Sequence, residues 1–114
     1  MTEVRRLNVN ELSLLEGFSV VAMPDGEREI KGVYIGDLLS WVMGRAKSDD
    51  AWITIMSNIN IVAVASLADT ACVILAEGVS LDESVIETAK SKGVNILAAA
   101  MPAYETAMAL GSRL

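Results

Sequence analysis

Residues 57–78 read SNINIVAVASLADTACVILAEG, a polar pair, a long apolar stretch and a closing Glu-Gly with no His, Lys or Arg. The fold turns on how its first half, 57–70, is read. The β-branched Ile and Val residues suggest strand, and a hairpin with 51–56 is the alternative. The polar/apolar alternation of a half-exposed strand is missing, however. NIVAVASLAD is more economical as a helix, apolar on nearly all sides and therefore buried. ACVILA, 71–76, is a continuous apolar run of strand length, the pattern of a central parallel strand covered on both faces.

Working outward, AWITIM (51–56) and VNILAAA (94–100) read as further strands. Between the central run and the second of these, SLDESVIETAKSKG (80–93) is a clear helix. Ser80 and Glu83 match a capping box, and Leu81, Val85, Ile86 and Ala89 form the buried stripe. Lys90 and Lys92 suit the negative end of its dipole, and Gly93 suits the C′ position. Upstream, DLLSWVMGRAK (37–47) reads as a helix capped by Asp37, with Leu38, Leu39, Val42 and Ala46 on one side. VYIG (33–36) and FSVVAM (18–23) are short strands, and PDG (24–26) is a turn. LNVNELSLLEG (7–17) is a short helix capped by Asn8 or Asn10, with Leu12, Leu14 and Leu15 apolar and Gly17 at its end. Pro102 opens a last helix, 102–110, closed by Gly111. Successive β-α units imply an α/β fold: a small, mostly parallel sheet with βα units, right-handed crossovers and flanking helices. Residues 18–36 are expected to add a β-β element at one edge.

At 114 residues the chain is expected to form one domain, 1–114. The hydrophobic fraction of 53% exceeds what one small core needs, which points to self-association. A net charge of −6 argues against nucleic-acid binding. No apolar run is long enough for a membrane helix, and MTEVRRLNVNELS lacks the core of a signal peptide. The expected location is cytoplasmic. With no histidine, Ser-His and Cys-His catalysis is excluded. One cysteine and no histidine cannot supply a soft metal-ligand set, so neither metal nor cofactor is expected. Cys72, inside ACVILA, reads as an inert buried thiol.

The order of elements from 33 onward resembles the DRTGG domain family. NIVAVASLAD followed by GVSLDESVIETAKSKGVNIL carries most of the resemblance, which covers about two-thirds of the chain. It implies a fold similar to the N-terminal domain of HPr kinase/phosphorylase, in small stand-alone proteins or in modules joined to CBS domains or phosphotransacetylase. The family's Asp-Arg pair falls at Ser57 and Asn58 here. Its Thr-Gly-Gly falls at Ala76, Glu77 and Gly78, so only the last glycine stands. Small hydrogenase-associated members carry Gln and His where this chain has Met56 and Asn58. The kinase label does not carry over, because no G-x-x-x-x-G-K-[ST] string occurs.

In a parallel sheet, ligands sit outside the carboxyl ends of the strands. Ser57, Asn58 and Asn60 lie there, before a helix, where they suit an anion; capping is their commoner role. Glu77 and Gly78 suit a cation or a ligand hydroxyl, or simply a solvated turn. Asp69 with Thr70 reads as a helix terminus, and Asp49 with Asp50 as a solvated loop. Trp41, Met43, Tyr104 and Met108 are core by default, yet as a group they favour a homodimer interface. The leading expectation is a non-catalytic regulatory or ligand-sensing module of the DRTGG type, homodimeric, taking a small anionic metabolite or nucleotide. The rival is a protein-interaction partner of a redox or hydrogenase-type complex, with no small ligand. A third reading is a carboxylate enzyme working through Glu77 or Asp69, which requires a perturbed acid in a cleft.

Overall fold

A computed structural model describes residues 7–114. In chain order the elements are α1 (Val9–Ser13), β1 (Phe18–Ala22), β2 (Gly32–Ile35), α2 (Leu39–Arg45), β3 (Asp50–Thr54), α3 (Asn60–Ala68), β4 (Cys72–Leu75), α4 (Glu83–Ser91), β5 (Ile96–Ala99) and α5 (Ala103–Gly111). The strands form one sheet in the order β1-β5-β4-β3-β2. β2, β3, β4 and β5 run parallel, and β1 is antiparallel to β5.

β4 lies at the centre, and all four of its residues are buried. Cys72 and Ile74 join Ala51, Ile53 and Leu97 in a core closed by Val9, Leu12 and Leu110 of α1 and α5. Val73 and Leu75 join Trp52 and Ile96 in a second core, closed by Val42, Ile61, Val85 and Ala89 of α2, α3 and α4. A strand covered on both faces needs apolar residues at every position, which accounts for the unbroken run at 71–76. Trp52 is fully buried, and its Nε1–H donates to the Gly36 carbonyl at 2.8 Å. The indole thus brings its polar atom into the core already satisfied.

The ambiguous stretch is a helix. The Asn58 side chain accepts the Asn60 N–H at 2.9 Å, and the Asn58 carbonyl accepts the Ile61 N–H at 3.2 Å, which starts the first turn. At the other end Asp69 adopts φ +59, and the Thr70 N–H returns to the Ala65 carbonyl at 3.1 Å, which stops it. Ile61, Val62, Val64 and Ala65 are buried as expected, whereas Ala63, Ser66 and Leu67 face solvent.

Several local expectations are corrected. Residues 18–36 do not form a β-β element at one edge, because β1 and β2 occupy opposite edges of the sheet. The turn between them is held beneath the strands: the Asn95 side chain accepts the Asp25 N–H at 2.9 Å and donates to the carbonyls of Asp25 and Ala71. Asp37 does not cap α2. Its carboxylate accepts the Thr54 hydroxyl at 2.8 Å and the Ile55 N–H at 2.9 Å, so it ties the end of β2 to the end of β3. The Ser80–Glu83 capping box does not form, since α4 begins only at Glu83 and Asp82 occupies the N-cap. A capping box does form at α1, where Asn8 accepts the Glu11 N–H at 2.8 Å and Glu11 accepts the Asn8 N–H at 3.0 Å. α1 ends too early to bury Leu14, which is 84% exposed. Pro102 stands at the N-cap of α5 rather than inside its first turn.

Ile74 is fully buried in the central strand. Ile74→Val is expected to lower unfolding free energy by about 0.5–1.5 kcal/mol in urea titration. The fluorescence of buried Trp52 reports the transition.

Candidate functional site

At the carboxyl end of the sheet a groove opens between β1 and α4. Ala98 and Ala99 of β5 and Ala100 just after it line the groove, and their small side chains leave room above the sheet. Ser19 of β1 pairs with Ala98, and a bulge at Val21 bends the edge strand beside it. The far wall is the Gly78–Leu81 loop together with Ile86 of α4. The volume is about 540 Å³, within the range of small-molecule sites. None of its lining side chains is a carboxylate, amine, guanidinium or thiol.

The loop wall is held by two hydrogen bonds, one to the end of β5 and one to the chain just after it. The Glu77 N–H donates to the Met101 carbonyl at 2.9 Å, and the Gly78 N–H donates to the Ala99 carbonyl at 3.2 Å. Both residues have positive φ, +63 at Glu77 and +70 at Gly78. Glycine adopts this conformation freely, and glutamate does so at a cost.

The expected site residues do not converge on one groove. Gly78 lines the groove just described. Asn60 lines a second one, of about 370 Å³, between α3 and α4. Ser57, Asn58 and Glu77 are exposed and line neither. The Asn58 side chain serves the start of α3. Glu77 has no hydrogen bond or ion pair through its side chain and stands exposed outside both grooves. The four expected interface residues are all exposed, from 42% at Met43 to 69% at Tyr104. They divide between two faces: Trp41 and Met43 on α2, Tyr104 and Met108 on α5. Arg45 stacks on the Trp41 ring at 3.6 Å.

A charged cluster that local sequence does not announce lies at the amino ends of the strands, away from the groove. Arg28 Nε donates to Asp49 at 3.0 Å, and its Nη2 pairs with Asp69 at 2.9 Å. The Ser48 hydroxyl donates to Asp69 at 2.6 Å, and Lys31 lies 3.5 Å from Asp49. Asp49 and Asp50 are therefore not a solvated loop. Asp49 is engaged by Arg28, and Asp50 is buried and accepts the Lys47 N–H at 2.8 Å. The Ser48 hydroxyl and the Arg28 guanidinium hold the Asp69 carboxyl below its ordinary range. Through Arg28, Asp69 ties the chain just before β4 to the β1–β2 connection. Cys72 is free and buried, and desolvation pushes its thiol up to about 12, which makes it unreactive. Among the described residues no group of three or more His, Cys, Asp or Glu is placed to hold a metal ion. No described helix is long and apolar enough to cross a membrane.

The sequence model of the DRTGG domain family matches residues 10–112. No curated protein matches the chain. Among solved structures, the chain is similar to the CBS and DRTGG domains of the regulatory region of Clostridium perfringens pyrophosphatase, solved with the activator diadenosine tetraphosphate. The TM-score is 0.71 at 11% identity, over 100% of this chain and 52% of that one. The two share a fold, and this chain spans about half the length of that structure.

Two measurements check the local physics. Glu77→Gly is expected to raise the urea midpoint, with a gain of about 1 kcal/mol from relieving the left-handed strain. The depressed Asp69 carboxyl contributes stability that is present above its unfolded pKa of about 3.9 and is lost as pH falls through its lower folded value. Asp69→Asn is expected to flatten the fall in thermal midpoint below about pH 4.

Proposed function

The chain belongs to the DRTGG domain family, and on that premise we propose that it is a non-catalytic regulatory module of the cytoplasm. It acts as a homodimer, each copy a single ligand-sensing domain. The observation that carries this reading is the groove beside Gly78. It is large enough for a small ligand, yet its only reactive groups are the Ser19 and Ser80 hydroxyls, and no lining side chain can serve them as a base. Such a site binds and does not react.

The ligand class we propose is a nucleotide. The groove is lined mainly by Phe18, Val21, Leu81, Ile86 and alanines, which suit the flat apolar faces of a base. α4 starts beside it without a side-chain cap, so N–H groups of its first turn are available to an anionic group. The activator held by the similar pyrophosphatase regulatory region is itself a nucleotide, diadenosine tetraphosphate. Of the residues at the strand ends, Gly78 is the proposed contact; Ser57, Asn58 and Glu77 lie on loops at the same end of the sheet, and Asn60 opens α3. The rival reading, a protein partner with no small ligand, predicts that the groove stays empty in solution.

Titration calorimetry and thermal shift with adenosine mono-, di- and triphosphate and diadenosine tetraphosphate test this. Binding by one of them is expected, adding about 2.7 kcal/mol of stability at a hundredfold excess over Kd. Ser19→Trp, which fills the groove from an exposed edge position, is expected to abolish it. No binding at millimolar concentration, or binding that Ser19→Trp leaves unchanged, overturns the proposal.

A further inference from the structure

We infer that the outer face of α3 is the contact between two copies of this chain, packed about a twofold axis. This rests on the homodimer reading above and assigns its surface. A helix that is apolar all round is ordinarily buried all round. One copy buries only the inner side of α3. On the outer side Leu67 is 73% exposed and Ile59 is 49% exposed, with the small residues Ala63 and Ser66 between them.

Charge selects the occupant. A chain of net charge −6 repels its own copy over most of its surface. Between Asp50 and Asp69 there is no charged residue, the longest such run in the chain, and α3 lies inside it. The charged residue lining the groove next to α3 is Lys92, a cation. The carboxylate at the end of this face, Asp69, is already paired with Arg28, so two like-charged copies meet here with little opposing charge. A partner chosen by charge would find little to pair with there, whereas a second copy of the same neutral face matches it.

Shape agrees with charge. The groove of about 370 Å³ between α3 and α4 is lined by Ile59, Asn60, Val62, Ala63 and Leu67 on one side and Thr88 and Lys92 on the other. One surface therefore carries both a protruding leucine and a hollow, as an isologous contact requires. Leu67 of each copy enters the hollow of the other, and Ala63 and Ser66 allow the two helices to come close. α2 packs against one flank of α3 and α4 against the other. Together they widen the face toward the roughly 800 Å² per partner of a stable interface.

Sedimentation equilibrium of the full chain tests the assignment. The native chain is expected to be a dimer at micromolar concentration. Leu67→Asp and, separately, Ala63→Arg are expected to weaken it by about a hundredfold in Kd, the effect of a central interface residue. Both positions are exposed, so the urea transition of the dissociated protein should match the native monomer's and report that the fold is intact. Tyr104→Asp, on α5, is expected to leave the dimer unchanged. If the native chain dimerises and Leu67→Asp and Ala63→Arg do not weaken it, or if Tyr104→Asp dissociates it instead, the α3 assignment falls and the homodimer reading stands. A native chain that stays monomeric at high micromolar concentration removes both.

Discussion

The backbone of β4 exchanges hydrogen bonds with β3 on one side and β5 on the other. Its side chains alternate between two helical layers, Cys72 and Ile74 toward α1 and α5, Val73 and Leu75 toward α2, α3 and α4. No position on it meets water. Parallel neighbours cannot be joined by a tight turn, so each needs a crossover, and each crossover here is a helix. α2, α3 and α4 stay on one face because the three successive crossovers advance across the sheet in one direction with one hand. The opposite face is left for α1 and α5, which reach it from the two ends of the described chain.

The two ends of the sheet have different physical characters. At the amino ends, Arg28 gathers Asp49 and Asp69 while Asn95 fastens the 24–26 turn, and among the described buried polar side chains there only the Thr70 hydroxyl is left without a partner. That closure carries the chain from β1 at one edge to β2 at the other. At the carboxyl ends, Asp37 bridges β2 and β3. Between β1 and α4, however, the alanines of β5 and the glycines at 17 and 78 leave a groove. The proposed ligand groove lies at the end that is not closed by ion pairs.

The groove was only partly legible in the sequence. Gly78 was visible as a turn residue and as the surviving part of the family's Thr-Gly-Gly. Ser19, Ala98 and Ile86 carry no chemical signature, and they are brought together by the pairing of β1 with β5 and by the placement of α4. Glu77 shows the converse. It looked like a candidate acid, and its φ of +63 instead marks a backbone position suited to glycine, occupied here by an exposed glutamate. Asp37 and the Ser80–Glu83 pair misled for a related reason. Capping motifs describe what a side chain can do within four residues, and Asp37 found a better partner 17 residues away, while α4 began too late for its box.

The sequence by itself determined the α/β class, the parallel core strands and the absence of histidine chemistry, while for 59–68 it left helix and strand both open. Each of these follows from periodicity or composition, which act along the chain. Only the tertiary structure decided that β1 and β2 lie at opposite edges, that Arg28 meets Asp69, that Trp41 and Tyr104 stand on different faces, and that α3 keeps an apolar side in water. Those outcomes depend on which distant segments come into contact. Contact of that kind is fixed by the direction of the crossovers and by the joint satisfaction of buried polar groups, and neither is written in any local stretch of residues.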